Sequence, residues 1–301
     1  MHPAAGAPVT GALVTGVVAA SVARAVWAQR ARVPGGAGTW ERTNHAGRPV
    51  SLLEGPAWTA GVTLGVLAAP GLPTPVRWGA VLATAGAGVF GAVDDLTGSS
   101  ADKGLRGHLG ALARGRLTTG GLKVLGIGLT SLVAAWPLLA GDRAVRWPAS
   151  RSATRASGLA DGAVAAALVA GSANLGNLLD LRPGRVLKIA LAAACVPGPP
   201  VARLLTAAAG GSALAVLPAD LGERAMLGDC GANAAGALLG SALVAGTAGT
   251  TGGRATRAVA LAVVVALTLA SEKVSFTRVI EATPLLRGLD AAGRRPRPED
   301  R

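Results

Sequence analysis

Three short stretches of this sequence set carboxylates and amides beside long apolar runs. The first is Gly91-Ala-Val-Asp-Asp-Leu-Thr97. Two adjacent carboxylates end an apolar segment, at a depth where ionisable groups are costly and functional by default. They repel each other, and a helix C-terminus disfavours negative charge. A divalent cation would neutralise them, and oxygen donors suit Mg²⁺. A solvated helix end is the plainer alternative. The second stretch is Asn174-Leu-Gly-Asn-Leu-Leu-Asp180. Its Asn174, Asn177 and Asp180 are spaced i, i+3, i+6, roughly one face of a helix, and suit a metal, a phosphate or sugar hydroxyls. An Asn-rich helix end before the Arg182-Pro-Gly turn accounts for them equally well. The third is Glu223-Arg-Ala-Met-Leu-Gly-Asp229-Cys-Gly-Ala-Asn233, in which Asp229 opens an apolar run. Asp is a favoured N-cap, and a helix N-terminus also receives anions. A fourth stretch, Lys103-Gly-Leu-Arg-Gly-His108, shares a loop with Asp94 and Asp95. Its Lys103 and His108 suit a phosphorylated substrate, although a plain basic loop explains them as well.

The elements that must hold these residues are membrane helices. The chain is 50% hydrophobic and only 15% charged, with mean hydropathy +0.47. Its apolar residues come in uncharged runs without the period-2 alternation of barrel strands. With 44 Gly, backbones can pack closely. The runs 9–27, 56–69, 78–93, 122–140, 158–174, 186–196, 201–217, 232–248 and 259–270 predict an all-α polytopic bundle of about nine transmembrane helices. The Pro-rich Cys195-Val-Pro-Gly-Pro-Pro200 splits the apolar region 186–217 into two of them. Residues 1–290 read as one transmembrane domain and 291–301 as a disordered basic tail. The N-terminus lacks the basic stretch of a cleavable signal, so the first span is expected to be retained.

The net charge of +13 is spread over many loops, without a nucleic-acid-binding module, and membrane loops explain it. The two Cys, Cys195 and Cys230, form no disulfide framework. Nine spans put segments 28–55, 94–121, 175–185, 218–231 and 273–301 on one side. That side holds most of the Lys and Arg, which makes it cytoplasmic. It also holds nearly all of the 16 acidic residues, a surplus the positive-inside rule does not predict. The loop 141–157, with four Arg, dissents. Acidic motifs from three loops converging on one membrane face suit metal-dependent phosphoryl transfer on an amphiphilic substrate.

In motif order the chain resembles the polyprenyl-phosphate N-acetylhexosamine-1-phosphate transferase family (glycosyltransferase family 4), which includes MraY and WecA. Val93-Asp94-Asp95 resembles the family's Asp-Asp motif, and Lys103 to His108 its basic Gly-Leu segment. Asn174, Asn177 and Asp180 fall on Asn-Leu-x-Asp-Gly-Leu-Asp, with Asn177 in place of the first Asp. Gly228-Asp229-Cys-Gly-Ala is similar to Gly-Asp-x-Gly-Ser, and Gly47-Arg-Pro49 to the Gly-x-Pro signature. The resemblance implies transfer of a sugar-1-phosphate from a UDP-sugar, a UDP-N-acetylhexosamine, to a membrane polyprenyl phosphate, with release of UMP, in cell-envelope synthesis at the plasma membrane. By carry-over Asp229 would be the chief Mg²⁺ ligand, with Asp95 beside it. Asp94 or Asp95 would deprotonate or orient the lipid phosphate. Asn174, Asn177 and Asp180 would hold the nucleotide or its phosphates, with Asp180 part of the catalytic set. The family's His-rich motif is absent. Thr283-Pro-Leu-Leu-Arg-Gly-Leu-Asp290 stands there, and Arg287 is left as a phosphate contact. This points away from a UDP-MurNAc-pentapeptide donor.

Two other classes compete with the enzyme reading: a non-catalytic protein on the same scaffold that partners or regulates envelope synthesis, and a transporter. A transporter would carry its ionisable groups near the midplane. By this reading only Asp161 and Arg203 are charges within spans, both near span ends. A homodimer is a further expectation.

Overall fold

The structure is a computed structural model that describes residues 7–33, 36–44, 46–97, 115, 118–140 and 155–295. Lys103 and His108 therefore lie outside the described residues, as does most of the tail. The described chain forms eleven α-helices: α1 Ala7–Ala28, α2 Glu54–Ala68, α3 Thr74–Thr97, α4 Thr119–Ala140, α5 Arg155–Leu179, α6 Arg185–Cys195, α7 Pro200–Leu221, α8 Gly228–Thr247, α9 Gly253–Ser271, α10 Phe276–Ala282 and α11 Pro284–Ala291. A small antiparallel hairpin, β1 Glu41–Thr43 and β2 Pro49–Ser51, precedes α2. Seven helices are long and apolar enough to cross a membrane: α1, α3, α4, α5, α7, α8 and α9. These mark the chain as an all-α, multi-pass membrane protein.

The remaining two expected spans exist as shorter helices, α2 with 15 residues and α6 with 11. The helix break falls where the Pro-Gly-Pro-Pro sequence requires it, because Pro removes the amides that would continue the ladder. Helix α6 stops at Cys195, and α7 starts with Pro200 in its first turn. The two run antiparallel: Gly184 meets Leu221 and Leu217 at one end, and Gly210 meets Ala194 toward the other. Eleven helical residues rise about 16 Å. Four extended residues add about 13 Å. The sum approaches the roughly 33 Å of α7's 22 residues. Gly246, at the end of α8, packs beside Ala202 and Pro199, so the Pro-rich turn lies at the end of the bundle remote from the N-terminus of α8.

The core is built from Ala, Val and Leu side chains, with Trp58 the largest fully buried group. Helix α8 is the hub, in contact with α2, α3, α5 and α7. Small residues make that possible, since close backbone approach drives helix packing where the solvent is itself apolar. A Cβ on Gly176 of α5 would run into the Ala232 carbonyl of α8. Helix α9 is at the periphery, and its valines and leucines (Val259, Val263, Leu269) are largely exposed.

Candidate functional site

The N-terminus of α8 begins at Gly228, whose φ of +59° turns the chain sharply into the helix. A helix N-terminus leaves amide donors unpaired. The residue before Gly228 is Leu227, which has no side chain able to cap. The caps come from elsewhere in the chain. Asp95, at the end of α3, accepts the Asp229 amide at 2.9 Å and the Cys230 amide at 2.9 Å. Asp180, just past α5, accepts the Gly228 amide. The positive end of the α8 dipole thus receives two carboxylates, while the C-terminal end of α3 would have repelled Asp95. Arg42 of β1 offsets that repulsion by donating to the Asp95 carbonyl. Gly91 lets the two helix ends meet, because a Cβ there would run into the Asp229 carbonyl.

Asp229 does not cap its own helix. Its carboxylate accepts Lys123 Nζ at 2.6 Å, and the same ammonium lies 2.7 Å from Asp94 Oδ2. Lys123 comes from the first turns of α4. The Asp94 carboxyl also lies within hydrogen-bond reach of Asp229 and of the Thr119 hydroxyl. Two carboxylates from two helices therefore face one cation, partly buried, at one end of the bundle. Such a pair has the oxygen donors that suit Mg²⁺. Among the described residues no group of three or more His, Cys, Asp or Glu is arranged to hold a metal ion. The set fits a metal bound by one or two carboxylates and completed by substrate phosphates, as Mg²⁺ commonly is, and not an all-protein cage.

Beside this centre lies a cleft of about 280 Å³, lined by Asp180, Arg182, Asp220, Glu223, Asn44 and Met226 among others. The hairpin forms one wall. Asn44 donates to Glu223 at 3.0 Å, Arg48 pairs with Glu223 at 3.6 Å, and Ser51 bridges to Ala225. Glu223 holds a left-handed φ of +50°, a conformation that costs a non-glycine residue on the order of 1 kcal/mol. Glu54, the first residue of α2, is fully buried, and neither carboxylate oxygen is hydrogen-bonded among the described residues. Burial, then the charges of Asp220, Asp229 and Asp95, pushes the Asp180 carboxyl well above the usual carboxylate range.

The structure brings Asp94, Asp95, Asp180 and Asp229 together. Asn174 points elsewhere: its amide reaches the Thr268 hydroxyl of α9 at 3.5 Å. Asn177 is half-buried, and its carbonyl accepts the Asp180 amide at 3.2 Å. Arg287 is exposed on α11. Lys123, Glu54 and Asp220 are absent from the sequence-derived candidates, and Glu223 stands there only as the first residue of the Asp229 stretch. The reading that found only Asp161 and Arg203 within spans overlooked Lys123, although a lone Lys near the start of an apolar helix is the signal for an intramembrane functional charge. Compared with known proteins, the chain matches no protein-family model, and no curated protein matches it.

Proposed function

We propose that this protein is an Mg²⁺-dependent phosphoglycosyl transferase of the plasma membrane, moving a sugar-1-phosphate from a UDP-sugar to a polyprenyl phosphate. The observation that carries this reading is the Asp94–Lys123–Asp229 arrangement, two carboxylates from two helices closing on the ammonium of a third at a helix N-terminus. In this reading helices α1 to α9 all cross the bilayer, and the acidic end faces the cytoplasm. The reach of α6 with its Pro-rich turn supports the required parity.

Asp229 and Asp94 would hold the metal, which when bound neutralises the diphosphate and the developing charge on the leaving UMP. Lys123 offsets the remaining charge of the pair and offers a donor to a phosphate oxygen. Asp95 keeps the α8 N-terminus in register, so Asp229 is held in position. Asp180, Asn177 and the adjoining cleft receive the nucleotide. An oxygen of the lipid phosphate attacks the β-phosphorus of the UDP-sugar. The bond from that phosphorus to the UMP oxygen breaks, and a polyprenyl-diphospho-sugar remains in the membrane. Phosphoryl transfer asks little of the protein beyond alignment and charge neutralisation.

The test is UMP release by the purified protein with undecaprenyl phosphate, Mg²⁺ and a panel of UDP-N-acetylhexosamines. Release that is lost in Asp229→Asn and Asp94→Asn supports the enzyme. No release with any donor sinks it. A second reading, a non-catalytic membrane protein on the same scaffold, is favoured by one observation: both Asp95 oxygens already serve as caps and the Asp94–Asp229 pair already has its ammonium.

A further inference from the structure

Helix α11 is exposed on every side except at Asp290. At 100° per residue, Leu285, Leu289 and Leu286 fall on one arc of its surface and Arg287 falls opposite. Leu285 is 73% exposed and Leu289 60%. A helix of this length has no stability of its own in water, yet this one is fixed firmly. Arg185, at the start of α6, donates to both Asp290 oxygens, at 2.8 and 3.1 Å. Lys188 donates to the Leu289 and Asp290 carbonyls at 3.0 and 2.7 Å. Arg294 pairs with Asp290 at 2.7 Å and donates to the Pro183 carbonyl at 3.0 Å. The anchor orients the leucines outward.

Two features decide what covers them. The first is position. Helix α10 starts at Phe276, a few residues past the end of α9 at Ser271, and α11 is tied to the first turn of α6. It therefore sits level with the helix ends, beside the start of α6. The second is charge. Lys273, Arg278, Arg287 and Arg295 are exposed along the same segment, against Glu272 and Glu281, and Glu281 is already paired with Arg182. Leucines on one side of a helix, Arg287 on the other and further basic residues in the adjoining segments describe a segment that lies in a membrane interface. A second copy of the chain is a poor occupant, because three leucines on an eight-residue helix fall short of the roughly 800 Å² per partner that a stable interface needs.

We infer that α11 is an in-plane anchor that lies on an anionic lipid surface with Leu285 and Leu289 in the acyl boundary. It braces the cleft through Arg182 and Pro183, two of the cleft's lining residues, which Glu281 and Arg294 hold. The inference needs only a membrane protein and stands apart from the transferase reading.

The full chain, with Cys195→Ser, would carry a nitroxide in turn at Leu285→Cys, Leu289→Cys and Arg287→Cys. Each would be reconstituted in nanodiscs of phosphatidylcholine with and without phosphatidylglycerol, and collision with oxygen compared with a water-soluble nickel chelate. Labels at 285 and 289 are expected to collide with oxygen and be shielded from nickel, and the label at 287 to do the reverse, with the contrast growing on addition of phosphatidylglycerol. Nickel access at 285 and 289 would place the helix in water and overturn the inference. Shielding from both probes would place it against protein, including a second copy, and overturn it equally. An identical profile in both lipid mixtures would remove the anionic surface as the occupant.

Discussion

The carboxylate centre beside the cleft and the ion pair at the far end of the bundle treat buried charge in opposite ways. At the end remote from the cleft, Asp161 of α5 faces Arg257 of α9, which donates to its two carboxylate oxygens at 2.7 and 2.8 Å. Arg254 lies 3.6 Å away on the same carboxylate, and Arg257 gives its remaining donors to the Thr247 carbonyl and hydroxyl, each at 3.0 Å. One carboxylate has two guanidiniums, and every group is held. At the cleft end the balance is reversed: one ammonium serves two carboxylates, while Asp180 and Glu54 have no cationic partner among the described residues. Buried charges that are fully paired hold helices together and do little else. An excess of one sign, kept in place by helix caps, is the electrostatic condition that the proposed metal site requires.

The comparison breaks most visibly if the far end proves functional. Asp161→Ala leaves Arg257 buried and unpaired, which should cost about 3 kcal/mol, read as a lower thermal midpoint in detergent. UMP release per folded molecule should stay unchanged. A variant that keeps its stability but loses turnover would mean that the two ends had been assigned the wrong way round. At the cleft end the expectation is reversed. Asp229→Asn and Asp94→Asn should each lower UMP release about a hundredfold, the usual loss when one preorganised electrostatic contact to the transition state is removed, with a small change in midpoint. Two variants active to within tenfold would reduce the Lys123 arrangement to a structural tie.

The sequence made the cleft end legible and left its wiring hidden, for a physical reason. Carboxylates at the ends of apolar runs are expensive, so Asp94, Asp95, Asp180 and Asp229 stood out wherever they occurred. Which of them does what depends on contacts between residues distant in sequence, 134 positions in the case of Asp95 and Asp229. Asp95 and Asp229 are adjacent only because Gly91 admits the α8 backbone. The local rule that an Asp at a helix start is its cap gave Asp229 the part that Asp95 plays. Asn174 and Asn177 share a helix face with Asp180, yet Asn174 turns to Thr268 because α9 packs there. The helix break at 196–199 was local Pro chemistry and was fully readable. The lock of Arg185 on Asp290 joins residues with no shared pattern and was invisible.

Lys123 offers a sharper test, because it separates an ammonium that fills a cation site from one that ties helices. Lys123→Met leaves Asp94 and Asp229 facing each other without a counter-charge. If the pair is a metal site, millimolar Mg²⁺ should raise the midpoint of this variant by a few degrees, the equivalent of about 1 kcal/mol in a chain of this size, and chelation should reverse the gain. The wild-type midpoint should respond less. A variant indifferent to Mg²⁺ would show that the pair does not bind the ion.

The smallest effect is a change in pH dependence at Asp180. Burial, with the charges of Asp220, Asp229 and Asp95, raises its carboxyl in the folded chain. A raised carboxyl stabilises the fold fully below its unfolded pKa, and that stability is lost as pH rises through the folded value. Asn keeps an acceptor for the Gly228 amide and cannot ionise. Asp180→Asn should therefore match wild type in acid and become the more stable of the two toward neutral and alkaline pH, measured as thermal midpoints across a pH series. A stability gain that comes with weaker UDP binding, measured on the same samples, is the trade expected of a site residue kept against its own electrostatic cost. Asp161→Asn should instead lose stability, because it removes the carboxylate that pairs with the buried Arg257, and should leave UDP binding untouched. If Asp180→Asn is instead destabilised across the whole range, the cleft carboxylates are held as firmly as those at the far end, and the difference between the two ends disappears.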